Sequence, residues 1–338
     1  MRILSLDGGG YLGLATAAFI AEAERHFQTT CHEQFDLFCG TSTGAIIALA
    51  LASGKTGRDI VNLYQAFGTT VFRNPFPGAR FLRLLRGTTT SLYSNVHLRQ
   101  ALQNSFDDLT LGDLRRSGKY VLIPAYNLTA GRPRIFKTNH SPELTLDDDY
   151  LVRDIALASA AAPIFLPIVS LLSPTNGVEE RFCDGGLFAN CPALLGYAEA
   201  ISYLKSAPEK IQILSLSTPR TSLAERSSAQ SWLDRALLSR GLLVWGPRLT
   251  NVMIDATSTI MHFALLRIME AHSSARANYE RIELQRPEGV ALDIATQQAT
   301  ETLQQIGCEH ARDTATRRLI RPFFVPQEIH YGQHPETV

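Results

Sequence analysis

The sequence lacks most of the features that mark a specialised class. Five cysteines (Cys31, Cys39, Cys183, Cys191, Cys308) in 338 residues are odd in number and form no CxxC pair, which excludes a disulfide framework and a zinc knuckle and fits a reducing compartment. Neither sign of charge is in excess: Lys plus Arg and Asp plus Glu both total 32, so no global field points to DNA or RNA as a partner. Long hydrophobic runs are missing too. Stretches such as Ala45 to Ala52 fall short of the roughly 20 residues a bilayer span requires, and the opening "MRILSLDGGG" reaches turn glycines too early for a signal peptide. No internal repeat is visible. What the chain has in quantity is apolar residues, 45% of the total, enough to fill a sizeable core. The expectation is a cytoplasmic globular protein that meets a membrane, if at all, peripherally from its inner surface.

Period and punctuation place the elements. Arg2 to Leu6 reads as a buried strand, the glycines as a turn, and Gly13 to about Gln28 as a helix with Leu14, Ala17, Ala18 and Ala21 on one face. A second strand near Phe35 to Cys39 and its helix follow, and this order predicts a mostly parallel sheet with both faces covered. Further strands are expected at Tyr120 to Tyr126, Arg134 to Lys137, Glu180 to Cys183 and Ile211 to Leu216. Helices are expected around Asn95 to Asn104, Tyr150 to Ala160 and Pro192 to Leu204. Between Val71 and Ser94, "VFRNPFPGARFLRLLRGTTTSLYS" interleaves prolines, arginines and apolar residues and reads as a partly apolar surface loop. Beyond about Arg220 the pattern turns to long helices (Trp232 to Leu238, Thr250 to Glu270, Ile294 to Thr314) with one strand at Tyr279 to Leu284. The expected fold is an α/β protein, a three-layer α/β/α sandwich over residues 1–220, with a mainly helical portion, 221–338, that completes or caps it.

Three clusters could carry chemistry. "GTSTG" (Gly40 to Gly44) satisfies GxSxG, in which a strand turns sharply into a helix and holds a serine hydroxyl exposed at the bend. The predicted strand before it and helix after it supply the context the motif needs, and the helix N-terminus adds partial positive charge. "DGGGYLG" (Asp7 to Gly13) also joins a strand to a helix, and its glycines expose amides as a phosphate cradle or an oxyanion hole. Gly8, Gly10 and Gly13 match GxGxxG as well, so a Rossmann-type oxidoreductase competes, but the second strand runs into Cys39 and GTSTG where that fold wants an acidic residue. "SGKTG" is no Walker A, because Leu49 stands where the first glycine is required. An α/β-hydrolase fits poorly, since Ser42 follows only one strand–helix unit. The nine histidines share no motif and read mostly as surface or helix residues. "FCDGGLFANCP" (182 to 192) ends a strand with Asp184, which is either a base for Ser42 or part of an Asp-Gly turn.

In order, "DGGG", "GTSTG", the apolar "ASAAAPIFLP" (Ala158 to Pro167), "DGG" with "NCP" behind it, and "ILSLSTP" (Ile213 to Pro219) resemble the patatin-like phospholipases over roughly residues 1 to 220. The resemblance implies a Ser–Asp dyad acyl hydrolase of membrane phospholipids that needs no metal and no cofactor. Ser42 would attack the ester carbonyl, Asp184 would take its proton, and the glycine loop Gly8, Gly9 and Gly10 would form the oxyanion hole, through the Gly9 and Gly10 amides. The chain departs from the family at Leu12, where the glycine loop usually carries Arg or Lys, and at Ala45 in place of a glycine. Arg73, Arg80, Arg83 or Arg86, with Phe76, Phe81, Leu82 and Leu85, are then the candidates to meet lipid phosphate and membrane. The overall build is also similar to phospholipase effectors of bacterial antiphage signalling, which implies a cyclic dinucleotide as activator. His262, Arg267, His272 and Arg276 are candidates for that anion and equally for solvated charge. A non-catalytic lipid- or nucleotide-binding protein remains the alternative, and assembly as a homo-oligomer stays open.

Overall fold

The pentapeptide RILSL forms the first strand, β1 (Arg2–Leu6), and the layers are built against it. The computed structural model describes residues 1–71, 90–220, 242–271, 278–285 and 290–325. After β1 come α1 (Gly13–Phe27), α2 (Cys31–Gln34), β2 (Leu37–Gly40), α3 (Thr43–Ala52) and α4 (Gly57–Val71). Then follow α5 (Val96–Phe106), α6 (Leu111–Arg116), β3 (Tyr120–Asn127), β4 (Arg132–Lys137), α7 (Val152–Ser159), β5 (Val169–Leu172) and β6 (Glu179–Asp184). The chain continues through α8 (Gly186–Ala189), α9 (Ala193–Ser202), β7 (Gln212–Leu216), α10 (Leu242–Ala271), β8 (Tyr279–Ile282), α11 (Gln297–Arg312) and α12 (Thr314–Phe324).

The strands form one sheet in the order β5-β6-β3-β2-β1-β7-β8, with β4 beside β3. The centre, β3-β2-β1-β7-β8, is parallel and the β5, β6 and β4 pairings are antiparallel. Central strands covered on both faces read as unbroken apolar runs, and alternate residues separate into two cores. Leu4, Leu6 and Phe38 join the core under α1, α3 and α7. Ile3, Leu37 and Cys39 join the core under α9 and α10. The three-layer α/β/α expectation is met.

One feature of the sheet positions the site. β4 occupies one edge of β3 over Leu122–Asn127, so β2 and β6 must share the other edge. β2 runs parallel to β3 and reaches Leu122 through Cys39; β6 runs antiparallel and reaches Ala125 through Asp184. Two strand ends therefore meet head to head, about 10 Å apart along β3. The turn after β2 carries Ser42, and the end of β6 is Asp184 itself.

Elements that the sequence reading leaves out have local causes. α2 is a single turn held by a reciprocal capping box between Thr30 and Glu33. α4 buries Ile60, Val61, Tyr64 and Val71 at helical spacing, a stripe obscured by its position after the SGKTG lysine. The edge strand β5 alternates buried and exposed residues over only four positions. His140 departs from the surface role expected of the histidines: its ring is fully buried and bonded to Glu199 at 2.9 Å. The expectation that no segment reaches membrane-spanning length is also corrected. Asn251–Ala271, 21 residues, is long and apolar enough by length and composition to cross a membrane. Thr257, Ser258 and His262 break it into short apolar runs in the sequence, but it is one helix, and it buries Ser258, Leu265 and Met269. Trp232 to Leu238 and most of the arginine-rich loop lie outside the described residues.

The turn into α3 tolerates no added methyl. A Cβ on Gly44 would lie 2.2 Å from the Leu6 carbonyl oxygen and 2.7 Å from that of Asp7, both backbone atoms that cannot swing away. Gly44→Ala is therefore expected to lower stability by about 1–3 kcal/mol or more, read as a fall in the denaturant midpoint; an unchanged midpoint would contradict this packing.

Candidate active site

Ser42 sits between β2 and α3 with φ 57° and ψ −123°, a left-handed conformation that a side chain adopts only when its surroundings enforce it. The enforcement is visible. A Cβ on Gly40 would strike the Gly44 carbonyl at 2.2 Å, so the chain before and after the serine is in contact. The Ser42 amide donates to Ser159 Oγ at 3.0 Å, and Ser159 Oγ in turn donates to the Pro124 carbonyl at 2.7 Å. Thr41 Oγ1 donates to the Ala189 carbonyl at 2.6 Å. The elbow is thus pinned to β3 and to the segment just past Asp184.

Both oxygens of Asp184 are occupied. The Gly186 amide donates to Oδ1 at 2.6 Å and fixes the carboxylate plane, while Ser42 Oγ donates to Oδ2 at 2.6 Å. Asp184 is buried, 5% exposed. Burial pushes its pKa up from 3.8 to about 6, the hydrogen bonds from Ser42 and Gly186 holding back part of the rise. The result is a carboxylate more basic than a solvated aspartate and still ionised at neutral pH.

The glycine loop lies on the other side of Ser42, and here Gly8, counted with the oxyanion loop, is corrected to a brace. The Gly8 amide already donates to the Asn190 carbonyl at 3.2 Å, and the Gly8 carbonyl accepts from Thr218 Oγ1 at 2.7 Å, so Gly8 braces the loop and cannot serve an oxyanion. Gly9 and Gly10 line the pocket beside Ser42, and their amides make no hydrogen bond among the described residues. Gly10 has φ +57°, and a Cβ there would meet the Leu292 carbonyl at 2.5 Å. Leu12, at the position that departs from the family pattern, is buried in the apolar core.

Ser42 and Asp184 open onto a pocket. Its walls are apolar: Ile46, Val71 and Leu98 from three helices, Phe165 and Leu166 from the ASAAAPIFLP segment, Ile254 from α10. Among the described residues no histidine lines it and no group of His, Cys, Asp and Glu could hold a metal ion. Of the other candidates, Arg73, Arg80, Arg83 and Arg86 fall outside the described residues, as do His272 and Arg276. His262 is turned inward, its Nδ1 2.7 Å from the Tyr279 hydroxyl, and the exposed Arg267 pairs with Glu270 at 2.9 Å. Ser159, Thr218 and Asn190, which brace the site, are not singled out by the sequence; Ser159 is the one polar residue inside the otherwise apolar ASAAAPIFLP, and that was the available signal.

Fold and site together define a three-layer α/β/α protein with a directly bonded Ser–Asp pair over an apolar pocket. The chain belongs to the patatin-like phospholipase family, whose model matches residues 4–197. It is 34% identical to a cGAMP-activated phospholipase of Pseudomonas aeruginosa, over 99% of this chain and 93% of the relative. Relatives with the same description come from Escherichia coli (30%, covering 90% and 86%) and Vibrio cholerae (31%, covering 95% and 92%).

Burial of Asp184 has a cost that can be measured. The folded state holds this proton up to about pH 6, whereas an unfolded aspartate releases it near 3.8, so stability from this group falls as pH rises through that window. At neutral pH the charged form costs folding on the order of 3 kcal/mol. Asp184→Asn removes the charge, keeps an oxygen for the Gly186 amide and turns its NH2 to donate to Ser42 Oγ, and is expected to raise the melting temperature at pH 7.5 by a few degrees; a lower melting temperature would contradict the desolvated carboxylate.

Proposed function

We propose that this chain is a lipid acyl hydrolase of phospholipase A type, working through a Ser42–Asp184 dyad and switched on by a cyclic dinucleotide, in antiphage defence. The observation that carries the chemistry is the 2.6 Å bond from Ser42 Oγ to a buried Asp184 carboxylate beside two uncommitted glycine amides. Ser42 Oγ attacks the ester carbonyl carbon as its proton passes to Asp184 Oδ2. The oxyanion that forms is held by the Gly9 and Gly10 amides, aided by the α3 N-terminus. Collapse breaks the ester C–O bond, Asp184 returns the proton to the leaving lysolipid oxygen, and an acyl-serine remains. Water, deprotonated by Asp184, then releases the fatty acid and restores Ser42. The apolar pocket serves this twice, by holding the acyl chain and by keeping water from the carboxylate.

The activator is proposed from the relatives, three of which carry cGAMP activation in their descriptions. Membrane contact is proposed from the pocket's rim. Ile164 is a β-branched residue at φ 73°, a conformation that costs of order 1–3 kcal/mol, and it is 50% exposed. Its neighbour Ile168 is 57% exposed, while Phe165 and Leu166 between them face the pocket. The lip that seats the acyl chain thus also presents aliphatic side chains outward, toward the bilayer that supplies it.

Purified protein with mixed phospholipid vesicles is expected to release fatty acid on addition of cGAMP, with Ser42→Ala reduced at least about a thousandfold. Its kcat/KM is expected to fall on the acid side with an apparent pKa near 6, because protonated Asp184 cannot act as base. Release that persists in Ser42→Ala removes the mechanism. Ile164→Asp with Ile168→Asp is expected to cut turnover on vesicles about tenfold or more while hydrolysis of a soluble short-chain ester is kept; equal loss on both would show that the rim does not act through the membrane.

A further inference from the structure

Asp7 follows β1 directly and carries the glycine loop, and its side chain is 1% exposed. A carboxylate so placed must be paired. Its partner is Arg281 on β8, itself 3% exposed: Nη2 donates to Oδ2 at 2.6 Å and Nη1 to Oδ1 at 3.3 Å. The same guanidinium touches two more of the sequence motifs. Nη1 donates to Ser215 Oγ at 2.7 Å, within ILSLSTP, and to Cys191 Sγ at 3.3 Å, within NCP. The residue before Cys191 is Asn190, whose carbonyl holds the Gly8 amide. One planar group therefore lies where the base of the glycine loop, the chain beyond Asp184 and a core strand converge. It bonds to neither Ser42 nor Asp184. The far end of the loop is fastened from the same part of the chain, since the Tyr11 amide donates to the Leu292 carbonyl at 2.8 Å and Tyr11 OH pairs with Thr300 Oγ1 at 2.8 Å.

We infer that Arg281 is a positioning residue for the oxyanion loop: by bridging Asp7, Cys191 and Ser215 it holds the Gly9 and Gly10 amides where the Ser42 adduct needs them. The inference rests on the reading of Ser42 as nucleophile. Only a fork can do this, because a guanidinium donates in two fixed directions from one plane whereas an ammonium is a single point on a flexible stem. Arg281→Lys keeps the charge that Asp7 requires and loses the geometry. Misplacing an oxyanion donor by about an ångström costs roughly a hundredfold in rate.

The test compares wild type, Arg281→Lys and Ser42→Ala by melting temperature, by kinetics on a soluble short-chain ester with saturating cGAMP, and by hydrogen exchange of the peptide spanning residues 7–13. The expected result for folded Arg281→Lys is a kcat lowered about tenfold to a hundredfold with KM within about twofold, and faster exchange confined to the 7–13 peptide. Unchanged kcat, or unchanged exchange of that peptide, overturns the inference. If Arg281→Lys fails to fold, the pair Asp7→Asn with Arg281→Gln removes both charges together and carries the same expectations. If wild type shows no Ser42-dependent hydrolysis, the proposed function fails, and the exchange measurement still judges whether Arg281 holds the loop.

Discussion

A hydroxyl and a buried carboxylate 2.6 Å apart form the interaction on which the rest of this structure depends. Neither group is where it is by local preference. Ser42 is held in a left-handed backbone conformation by contacts on every side, and Asp184 is held in a setting that opposes its charge. Long β3 makes the meeting possible, since it accepts a parallel strand along its first half and an antiparallel strand along its second on the same edge. The direction reversal between β2 and β6 turns two distant strand ends into one site. The carboxylate touches the serine directly, with no imidazole between them, and its burial raises its affinity for a proton.

The chain beyond residue 220 belongs to the working part of the molecule. β8 extends the central sheet, α11 packs on α1, and Leu292 and Ile254 reach the pocket. The Asn190 side-chain amide donates to Ser258 Oγ on α10 at 2.8 Å, a second link, after Arg281 with Cys191, between that region and the loop beside Asp184. The glycine loop is tied through Asp7 to a buried arginine supplied from far along the chain.

Much of this was legible in the residues. GTSTG and DGGG are readable because their requirement is steric: a bend that brings backbone to within contact leaves room for hydrogen alone, so glycine spacing carries the geometry. Asp184 was legible through its glycines, which leave the carboxylate approachable. Arg281 was not, because its pairing with Asp7 spans 274 positions and leaves no periodic trace. The residues alone do not separate Gly8 from its two neighbours: the choice of the Gly9 and Gly10 amides came from the family resemblance, and the Asn190 carbonyl is what occupies Gly8. The helix over Thr250 to Glu270 was legible, but its apolar length was not, because its polar residues, some buried and bonded, interrupt the apolar runs from which spans are read.

The central claim is that Ser42 is made reactive by an ionised Asp184. The most direct measurement is the rate and site of labelling by a fluorophosphonate probe between pH 5 and pH 8, followed by mass spectrometry of the adduct. The account predicts one adduct, on Ser42, whose rate of formation rises through an apparent pKa near 6 and is lost in Asp184→Asn. Labelling at another residue, or a rate on Ser42 that does not change across this range, would contradict it.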